Sequence, residues 1–354
     1  MAIGIVYHPI YLRHETDGHP ESADRLRAII GLLLRRGYLA GDADHVASGD
    51  AILLQPSPVP LPLLSKVHSP ALIEELRRIA ETGGGWIDPD TVVSSHTYEA
   101  ALYAAGAMVC GLDAIYRGTV ESAFALVRPP GHHATRSASM GFCIFNNVAV
   151  AAQYALDACG ARKVLIVDWD LHHGNGTQSS FYDDPRVLYF STHQYPFFPG
   201  TGAVTERGTG AGVGYTVNVP FTSGVGNRGA LLAFTEVLVP VARRFRPDLV
   251  LVSAGYDTHW RDPLGGLCVT EGGFFAMAQI VRMLAQEMCG GRLLLTLEGG
   301  YDFDALAEGV VATLEALQGL PAYSGEVPQV PLWQRSERQA ADIVEQARLL
   351  HRLV

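Results

Sequence analysis

The chain has 354 residues, of which 48% are hydrophobic and 18% charged, and it carries a formal net charge of -10. This length allows two ordinary domains or one large α/β domain, with ample apolar material for a core. The acidic excess argues against direct binding of nucleic acid through a broad cationic surface. It is compatible with a cationic substrate.

Short apolar runs alternate with helical patterns along the chain. The runs are rich in Val, Ile and Leu with little polar alternation, which is typical of strands buried on both faces of a parallel sheet. The predicted strands are, in chain order, 3–7, 123–127, 163–167, 187–190, 215–219, 248–252 and 292–297. The predicted helices lie near 22–37, 70–82, 95–117, 145–159, 227–245, 271–289, 303–317 and 334–352. The alternation predicts right-handed β-α-β crossovers and helices on both faces of the sheet.

The pattern contains no internal repeat, low-complexity tract or linker rich in Gly, Ser or Pro. We therefore predict one domain over 1–320, followed by a loop and a helix over 321–354, with the loop at 322–333. The terminal helix packs either on the same domain or on a partner chain, and the sequence leaves both open.

Location is predicted from what the sequence lacks. The first residues show neither the charged leader nor the apolar segment of a signal peptide, and no apolar stretch reaches the roughly 18 residues of a membrane span. The five cysteines form no C-x-x-C pair and sit among apolar neighbours, as core residues of a reducing compartment do. We expect a cytoplasmic protein without a membrane segment, and its compactness is typical of a bacterial one.

Polar side chains follow five of the predicted strands directly. In open parallel sheets, ligands bind at the carboxyl ends of the strands, because those ends share one edge. The residues delivered there are His132 and His133, then Asp168, Asp170, His172 and Asn175, then Ser191, Thr192 and His193, then Tyr256 and Asp257, and finally Glu298 and Tyr301. Five such coincidences indicate a functional site at that edge.

Asp168, Asp170 and His172 alternate along the chain, so on an extended backbone they point to one face. With Asp257 from a neighbouring strand end, they form a mixed Asp/His set suited to a divalent transition metal. Catalytic zinc commonly takes three protein ligands and leaves a fourth position for water. A helix cap at Asp170 and a buried His172 would explain either residue alone, but not the combined pattern.

His132 and His133 follow a rigid Pro-Pro-Gly, and imidazoles beside a metal can remove and return protons near neutral pH. Asp168 and Asn175 are the candidate acceptors that orient them, one charged and one neutral, which would separate the two histidine pKa values. Tyr301 follows two glycines and could donate a hydrogen bond to an oxyanion. A surface loop and a packing tyrosine are the ordinary alternatives for these residues taken singly.

Six strings carry a family resemblance. They are Arg-Pro-Pro-Gly-His-His, Gly-Phe-Cys-Ile-Phe-Asn-Asn, Val-Asp-Trp-Asp-Leu-His-His-Gly-Asn-Gly-Thr-Gln, Phe-Phe-Pro-Gly-Thr-Gly, Ser-Ala-Gly-Tyr-Asp and Leu-Glu-Gly-Gly-Tyr. They closely resemble class II histone deacetylases and their bacterial histone deacetylase-like amidohydrolase relatives, from His19 to about Leu317. The resemblance implies the three-layer arginase/deacetylase fold, with a central, mostly parallel eight-stranded sheet flanked by helices. It also implies zinc-dependent hydrolysis of acetyl-lysine or a related acylated amine, with release of acetate.

The resemblance further implies a role for each matching residue. Zinc ligands are Asp170, His172 and Asp257, and iron(II) can occupy such a set. Catalytic residues are His132, His133 and Tyr301, with His133 the main general base and acid. The substrate channel is implied at Gly141, Phe142, Phe198, Leu264 and Asp90, with Asp88 as the alternative to Asp90. Arg25 matches the acetate-release channel. A structural potassium ion is implied near Asp168, Asp170, His172, Ser191 and Thr192, and an outer one near Phe181, Asp184, Val187 and Tyr215.

Particular residues argue against three alternative functions. An acetylpolyamine amidohydrolase is disfavoured by Leu264, which stands where eukaryotic polyamine-specific members carry a glutamate. An arginase-like enzyme with two manganese ions needs further carboxylates, but Gly174 and His259 stand at the corresponding positions. A non-catalytic acyl-lysine reader would not need the two histidines, three ligands and a tyrosine. Because Tyr301 stands where a weakly active subclass has histidine, an active deacetylase is expected. The physiological substrate and a homo-oligomeric state stay open.

Overall fold

The computed structural model describes residues 2–42, 45–326 and 334–353, and within these ranges eight strands form one sheet. The strands of the chain are β1 (Ile3–Val6), β2 (Leu39–Gly41), β3 (Val46–Ser48), β4 (Ile52–Leu54), β5 (Gly85–Asp88), β6 (Thr91–Val93), β7 (Ser122–Ala125), β8 (Val164–Asp168), β9 (Val187–Gln194), β10 (Thr216–Phe221), β11 (Leu249–Ala254) and β12 (Leu293–Leu297). The sheet is parallel and has the order β10-β9-β8-β11-β12-β7-β1-β4. The predicted fold class is confirmed.

The helices enclose this sheet in the order that the sequence pattern predicts. They are α1 (Ala23–Arg35), α2 (Leu61–Val67), α3 (Pro70–Glu81), α4 (Thr97–Tyr116), α5 (Asn147–Ala158), α6 (Asn175–Ser180), α7 (Asn227–Ala233), α8 (Val239–Phe245), α9 (Glu271–Cys289), α10 (Phe303–Gln318) and α11 (Gln334–Leu350). Several begin at a side-chain cap that satisfies a free backbone N–H of the first turn. Asn146 accepts from Ala149 at the start of α5, and Asp302 accepts from Ala305 at the start of α10, both at 2.9 Å.

The predicted helix over 227–245 contains an irregularity. A π turn, Phe234–Leu238, joins α7 to α8, and Pro240 lies in the first turn of α8. Proline has no N–H to donate to the preceding turn, so a regular α-helical ladder cannot continue through this point. The π turn accommodates one extra residue there.

The seven predicted sheet strands are present, with ends shifted by a few residues. The missed eighth strand, β4, has only three residues and is too short to show a pattern. The antiparallel pairs β2-β3 and β5-β6 were also not predicted, nor were the short helices α2 and α6. Of the predicted loop at 322–333, residues 327–333 lie outside the described residues.

The chain folds as two compact units. The first comprises the described residues of Met1–Ala161, with Asn175–Ser180 and Leu294–Glu298. Its strands β1 and β7 are fully buried and pack against α4. The apolar side chains between these strands and α4 form the core of the first unit.

The second unit comprises Arg162–Gly174, Phe181–Leu293 and the described residues of Gly299–Val354. Its strands β8 and β11 are fully buried, and α9 packs on β11 and α10. The terminal helix α11 packs on β10 and α7, where Glu337 accepts a 2.9 Å hydrogen bond from the N–H of Gly226. Among the described residues, no helix is long and apolar enough to cross a membrane.

Candidate metal centre and histidine pair

Three side chains of the second unit form a buried cluster of metal-ligand type. Asp170 and His172 follow the end of β8, and Asp257 follows the end of β11. One ligand atom from each lies within 4.8 Å of the others. Asp170 and Asp257 are buried, and His172 is partly buried. Two carboxylates and an imidazole at this spacing suit one divalent cation.

The electrostatics of the cluster favour a bound positive charge. The Nδ1 atom of His172 lies 3.3 Å from Asp170 Oδ1 and 3.1 Å from Asp257 Oδ2. Burial alone would lower the pKa of His172, but the hydrogen bonds to the two carboxylates raise it above its ordinary value. Burial and the neighbouring charge of Asp170 raise the pKa of Asp257. A cation between two carboxylates this close in the interior would relieve their repulsion without a proton.

Backbone N–H groups fix both carboxylates. Asp170 accepts from His172 at 2.9 Å and from Gly299 at 2.8 Å, and Asp257 accepts from Leu171 at 2.9 Å. A Cβ atom at Gly299 would lie 2.4 Å from Asp257 Oδ2 and 2.8 Å from Asp170 Oδ2. Only glycine therefore lets the backbone approach the two carboxylates this closely.

The histidine pair lies in the first unit, in the segment after β7. The rings of His132 and His133 are buried, with centroids 4.0 Å apart. His133 Nδ1 lies 2.8 Å from Asn175 Oδ1, the neutral acceptor that the sequence offers. An amide oxygen can only accept, so this contact places the proton on Nδ1 and leaves Nε2 to accept one. The pairing of His132 with Asp168 stays a prediction.

Glu298 holds the backbone of the histidine pair. Its Oε2 atom accepts from the N–H of Gly131 at 2.7 Å and of His132 at 3.2 Å. His132, Cys143 and Glu298 also lie close enough to hold an ion. Since the Glu298 carboxylate is engaged by two backbone donors, we interpret this second cluster as support for the loop.

His68 supports the same segment from behind and makes it sensitive to acid. Its Nδ1 lies 2.8 Å from the carbonyl of Thr135, and its Nε2 accepts from the N–H of Asn146 at 2.8 Å. The ring must be neutral, because a proton on Nε2 would face that N–H. Burial, with a smaller effect of Arg136, lowers the pKa of His68 to about 4, although the Thr135 contact opposes this.

We expect His68 to lower stability as the pH falls from about 6.5 towards 4. An unfolded histidine titrates near 6.5, so the unfolded state binds the additional proton in this window. The loss reaches about 3 kcal/mol by pH 4. His68→Gln should flatten the pH dependence of the unfolding free energy by about 1.4 kcal/mol per pH unit, measured by urea denaturation. The exposed His45→Gln is the control, and equal slopes for wild type and His68→Gln would contradict the assignment.

Asp262 joins two predicted site residues in the second unit. Its Oδ1 accepts from the N–H of Leu264 at 2.9 Å, and its Oδ2 accepts from the N–H of Tyr301 at 2.6 Å. Tyr301 and Leu264 are both partly buried. One carboxylate therefore sets the backbone of both residues.

The predicted channel residues fall into two groups. In the first unit, the ring of Phe142 lies 4.5 Å from that of His19, and His19 Nε2 lies 3.1 Å from the carbonyl of Asp90. Gly141 and Phe142 both have positive φ, at 56° and 68°, and the Phe142 N–H donates to Thr91.

Asp88 and Asp90 lie in one turn, where Asp88 accepts from the N–H of Asp90 at 3.0 Å. This contact does not decide between the two carboxylates.

In the second unit, two exposed phenylalanines flank the metal-ligand cluster. Phe198 lies edge-on to His172 at 6.1 Å, and Phe197 stacks on the same ring at 5.4 Å. Both residues stand in the same string, and the family resemblance implies a channel role for Phe198 alone. The contact of Phe197 with His172 was not predicted.

Arg25 lies in a buried ionic network of the first unit. Its Nη1 donates to Glu21 at 3.1 Å and its Nη2 donates to the carbonyl of Glu298 at 2.5 Å. Glu21 also accepts from Arg128 at 2.5 and 2.8 Å, and its Oε2 lies 3.4 Å from His14. Glu21, Glu298 and Asp262 were all missed as positioning residues. Glu298 stands within a quoted motif, but its partners lie far away in sequence.

Three of the residues implied for potassium, Asp168, Ser191 and Thr192, lie on the neighbouring strands β8 and β9. Asp168 on β8 pairs in register with Ser191 on β9, and Thr192 follows. Asp168 is buried and accepts from the hydroxyl of Tyr189 at 3.0 Å and from the N–H of Asp170 at 3.2 Å. The structure brings Asp168 next to Ser191, while the rest of the set and the ion stay a prediction.

Comparison with known proteins identifies the family. The model named Histone deacetylase domain matches residues 19–317. The chain is 38% identical over 352 residues to Histone deacetylase 10, chloroplastic, of Oryza sativa subsp. japonica. The alignment covers 96% of this chain and 79% of that protein. It is 39% identical over 305 residues to a protein named Probable deacetylase of Archaeoglobus fulgidus. That alignment covers 86% of this chain and 82% of the relative.

The crystal structure of the HDA15 HD domain resembles the whole chain. It gives a TM-score of 0.87 at 36% sequence identity and covers 99% of this chain and 94% of that one. The predicted relationship is confirmed at the level of sequence and of fold. The chain belongs to the histone deacetylase domain family.

Proposed function

We propose that the protein is a zinc-dependent deacetylase that hydrolyses the amide of acetyl-lysine or a closely related acylated amine. The observation that carries this proposal is the buried cluster of Asp170, His172 and Asp257. Family membership supports it, because the family is one of deacetylases. The five cysteines are free thiols, which agrees with a reducing compartment. The cytoplasmic location stays a prediction.

Asp170, His172 and Asp257 would hold the metal, and zinc fits this donor set best, with iron(II) as the alternative. The ion, when bound, supplies Lewis-acid polarisation of the acyl carbonyl and lowers the pKa of water. The position of Gly299 against both carboxylates supports a centre fixed before substrate arrives.

The chain's own residues supply the proton transfers. His133 accepts a proton from the attacking water at Nε2, because its contact with Asn175 keeps Nδ1 protonated. Water oxygen bonds to the carbonyl carbon, the C–N bond breaks, and the same proton returns to the leaving amine. His132 lies against His133 and assists the proton transfer. Tyr301 donates a hydrogen bond from its hydroxyl to the oxyanion.

The remaining site residues would select substrate and release product. Gly141, Phe142 and Phe198 wall a channel for an extended side chain, and Asp90 receives the backbone amide of a peptide. Arg25 directs acetate outward, and a potassium ion near Asp168, Asp170, His172, Ser191 and Thr192 fixes the loop of the cluster. Leu264 offers no charge to the distal amine of a polyamine, which favours acetyl-lysine.

The structure disfavours an arginase-like centre with two metal ions. His259, which stands where such an enzyme needs a carboxylate, is buried. Its Nε2 lies 3.2 Å from Glu271 and its Nδ1 accepts from the N–H of Arg261 at 3.2 Å. Both ring nitrogens are therefore engaged.

Steady-state hydrolysis of an acetyl-lysine peptide and of acetylspermidine, with and without a zinc chelator, tests the function. We expect chelator-sensitive release of acetate from the peptide at a kcat/KM at least about tenfold that of the polyamine. The reverse preference would support an acetylpolyamine amidohydrolase. No turnover of either by metal-loaded protein would contradict the proposed substrate class.

A further inference from the structure

The second unit contains a cavity of about 270 Å³ at the amino ends of three strands. Lys163 directly precedes β8, Leu188 lies at the start of β9 and Tyr215 directly precedes β10. The metal-ligand cluster follows the opposite end of β8, one strand length of roughly 17 Å away. A ligand in this cavity would occupy a place separate from the metal centre.

Two cationic side chains line the cavity, and each donates a hydrogen bond to a backbone carbonyl. Lys163 Nζ donates to the carbonyl of Phe245 at 2.9 Å, and Arg244 Nη1 donates to the carbonyl of His351 at 2.7 Å. Within the described part of the chain, neither forms an ion pair with a carboxylate. Asp248, next to this region, instead accepts from the backbone N–H groups of Arg162 and Lys163 at 2.8 and 3.1 Å. Both cations keep donors available for an anion.

Buried polar groups also lie near the cavity. His351 is 3% exposed, and its ring interacts with the backbone of Gly214. Burial and the nearby charges of Arg207 and Arg244 lower the pKa of His351 to about 4. The low pKa keeps the His351 ring neutral near pH 7, so the positive charge of this region lies on the lysine and arginine side chains. The Nε of Arg207 is buried without a partner among the described residues, and such a donor is costly to leave unsatisfied.

The rest of the lining is apolar, from Leu188, Val213, Val241 and Phe245. Val213 is 55% exposed and lies at the mouth, whereas Phe245 is buried. An inorganic anion could satisfy the cations but would leave these hydrocarbon walls against water. A carboxylate with an apolar body satisfies both parts of the lining.

We propose that this cavity binds a small organic carboxylate. Its carboxylate pairs with Arg244 and Lys163, and its hydrocarbon body packs on Val213, Val241 and Phe245. The volume equals that of about nine water molecules at roughly 30 Å³ each, which suits a fatty acid of medium length or an aromatic acid.

Calorimetric titration of the full chain with octanoate tests the proposal, with octanol and inorganic phosphate as comparison probes. We expect octanoate to bind at sub-millimolar concentration and at least about tenfold more tightly than either comparison probe. Binding should persist in chelator-treated protein, because the metal centre takes no part. Phosphate binding as tightly as octanoate, octanol binding as tightly as octanoate, or binding lost with the chelator would each overturn the assignment.

Matched variants locate the site. Arg244→Gln should weaken octanoate binding about tenfold or more, whereas Arg243→Gln, which loses only an exposed pair with Glu287, should change it less than about twofold. Val213→Asp keeps both cations and places a competing carboxylate at the exposed mouth, so it should also weaken binding about tenfold. Unchanged affinity in both Arg244→Gln and Val213→Asp, or no octanoate binding to the wild type, would refute the proposal.

Discussion

Asp257→Asn is expected to abolish metal binding and to lower turnover of the acetylated substrate by a factor of about a thousand or more. The asparagine removes one of two negative charges that hold the cation, and its amide can turn a donor towards the metal position. Asp257 also accepts the N–H of Leu171 at 2.9 Å, a bond that the amide oxygen can retain. The fold should therefore survive. Metal content by mass spectrometry and kcat/KM measured on the same preparation check this expectation.

Two companion variants separate loss of metal from loss of chemistry. Tyr301→Phe should keep full metal content and lower kcat about a hundredfold, because only the proposed oxyanion donor is removed. Asp304→Asn, an exposed acid in the first turn of α10, should change neither quantity. If Asp257→Asn retained stoichiometric metal and ordinary turnover, the assignment of the centre would be wrong.

Glu21→Gln should destabilise the protein by about 3–5 kcal/mol. Glu21 is 1% exposed, and its carboxylate binds the fully buried guanidinium groups of Arg25 and Arg128. Burial alone would raise the pKa of Glu21, but Arg128 and His14 hold it well below its ordinary value. Glutamine leaves two buried cations without their counter-charge. The unfolding free energy from urea denaturation at pH 7 measures the loss.

Asp24→Asn is the matched control for this variant. Asp24 lies on the same helix, α1, and forms an exposed pair with Arg27 at 2.7 Å. Its loss should cost less than about 1 kcal/mol, as is usual for exposed pairs. A similarly small loss for Glu21→Gln would mean that the buried network does not stabilise the fold. Because the pKa of Glu21 is depressed, its stabilisation should be complete above about pH 4.5 and fall in more acidic solution.

The sequence predicts the sheet strands and the polar residues after them, because both follow a simple pattern that repeats along the chain. Apolar runs of four to six residues predict the buried strands, and polar residues directly after them predict the functional edge. Asp170, His172 and Asp257 were found in this way, and the structure brings them within 4.8 Å. The three-residue strand β4 escaped, because its pairing with β1 depends on tertiary contacts rather than on local pattern.

Positioning residues were harder to predict, because their role depends on distant partners. Glu298 is separated by 166 residues from His132, whose backbone N–H it accepts, and Asp262 by 39 residues from Tyr301. An acidic residue in a sequence ordinarily indicates solvent exposure, and only the folded chain shows that these carboxylates bind backbone donors. The same reason explains why Glu21 was missed as the centre of an ionic network.

The π turn between α7 and α8 has a consequence for the anion cavity. Each residue of an α-helix advances the side-chain direction by about 100°, so one extra residue turns everything after it by that angle. Without the extra residue, α8 would be rotated about its own axis, and Arg244 would turn away from the cavity that it lines. A local defect in helical winding thus selects which of two adjacent arginines, Arg243 or Arg244, lines the cavity.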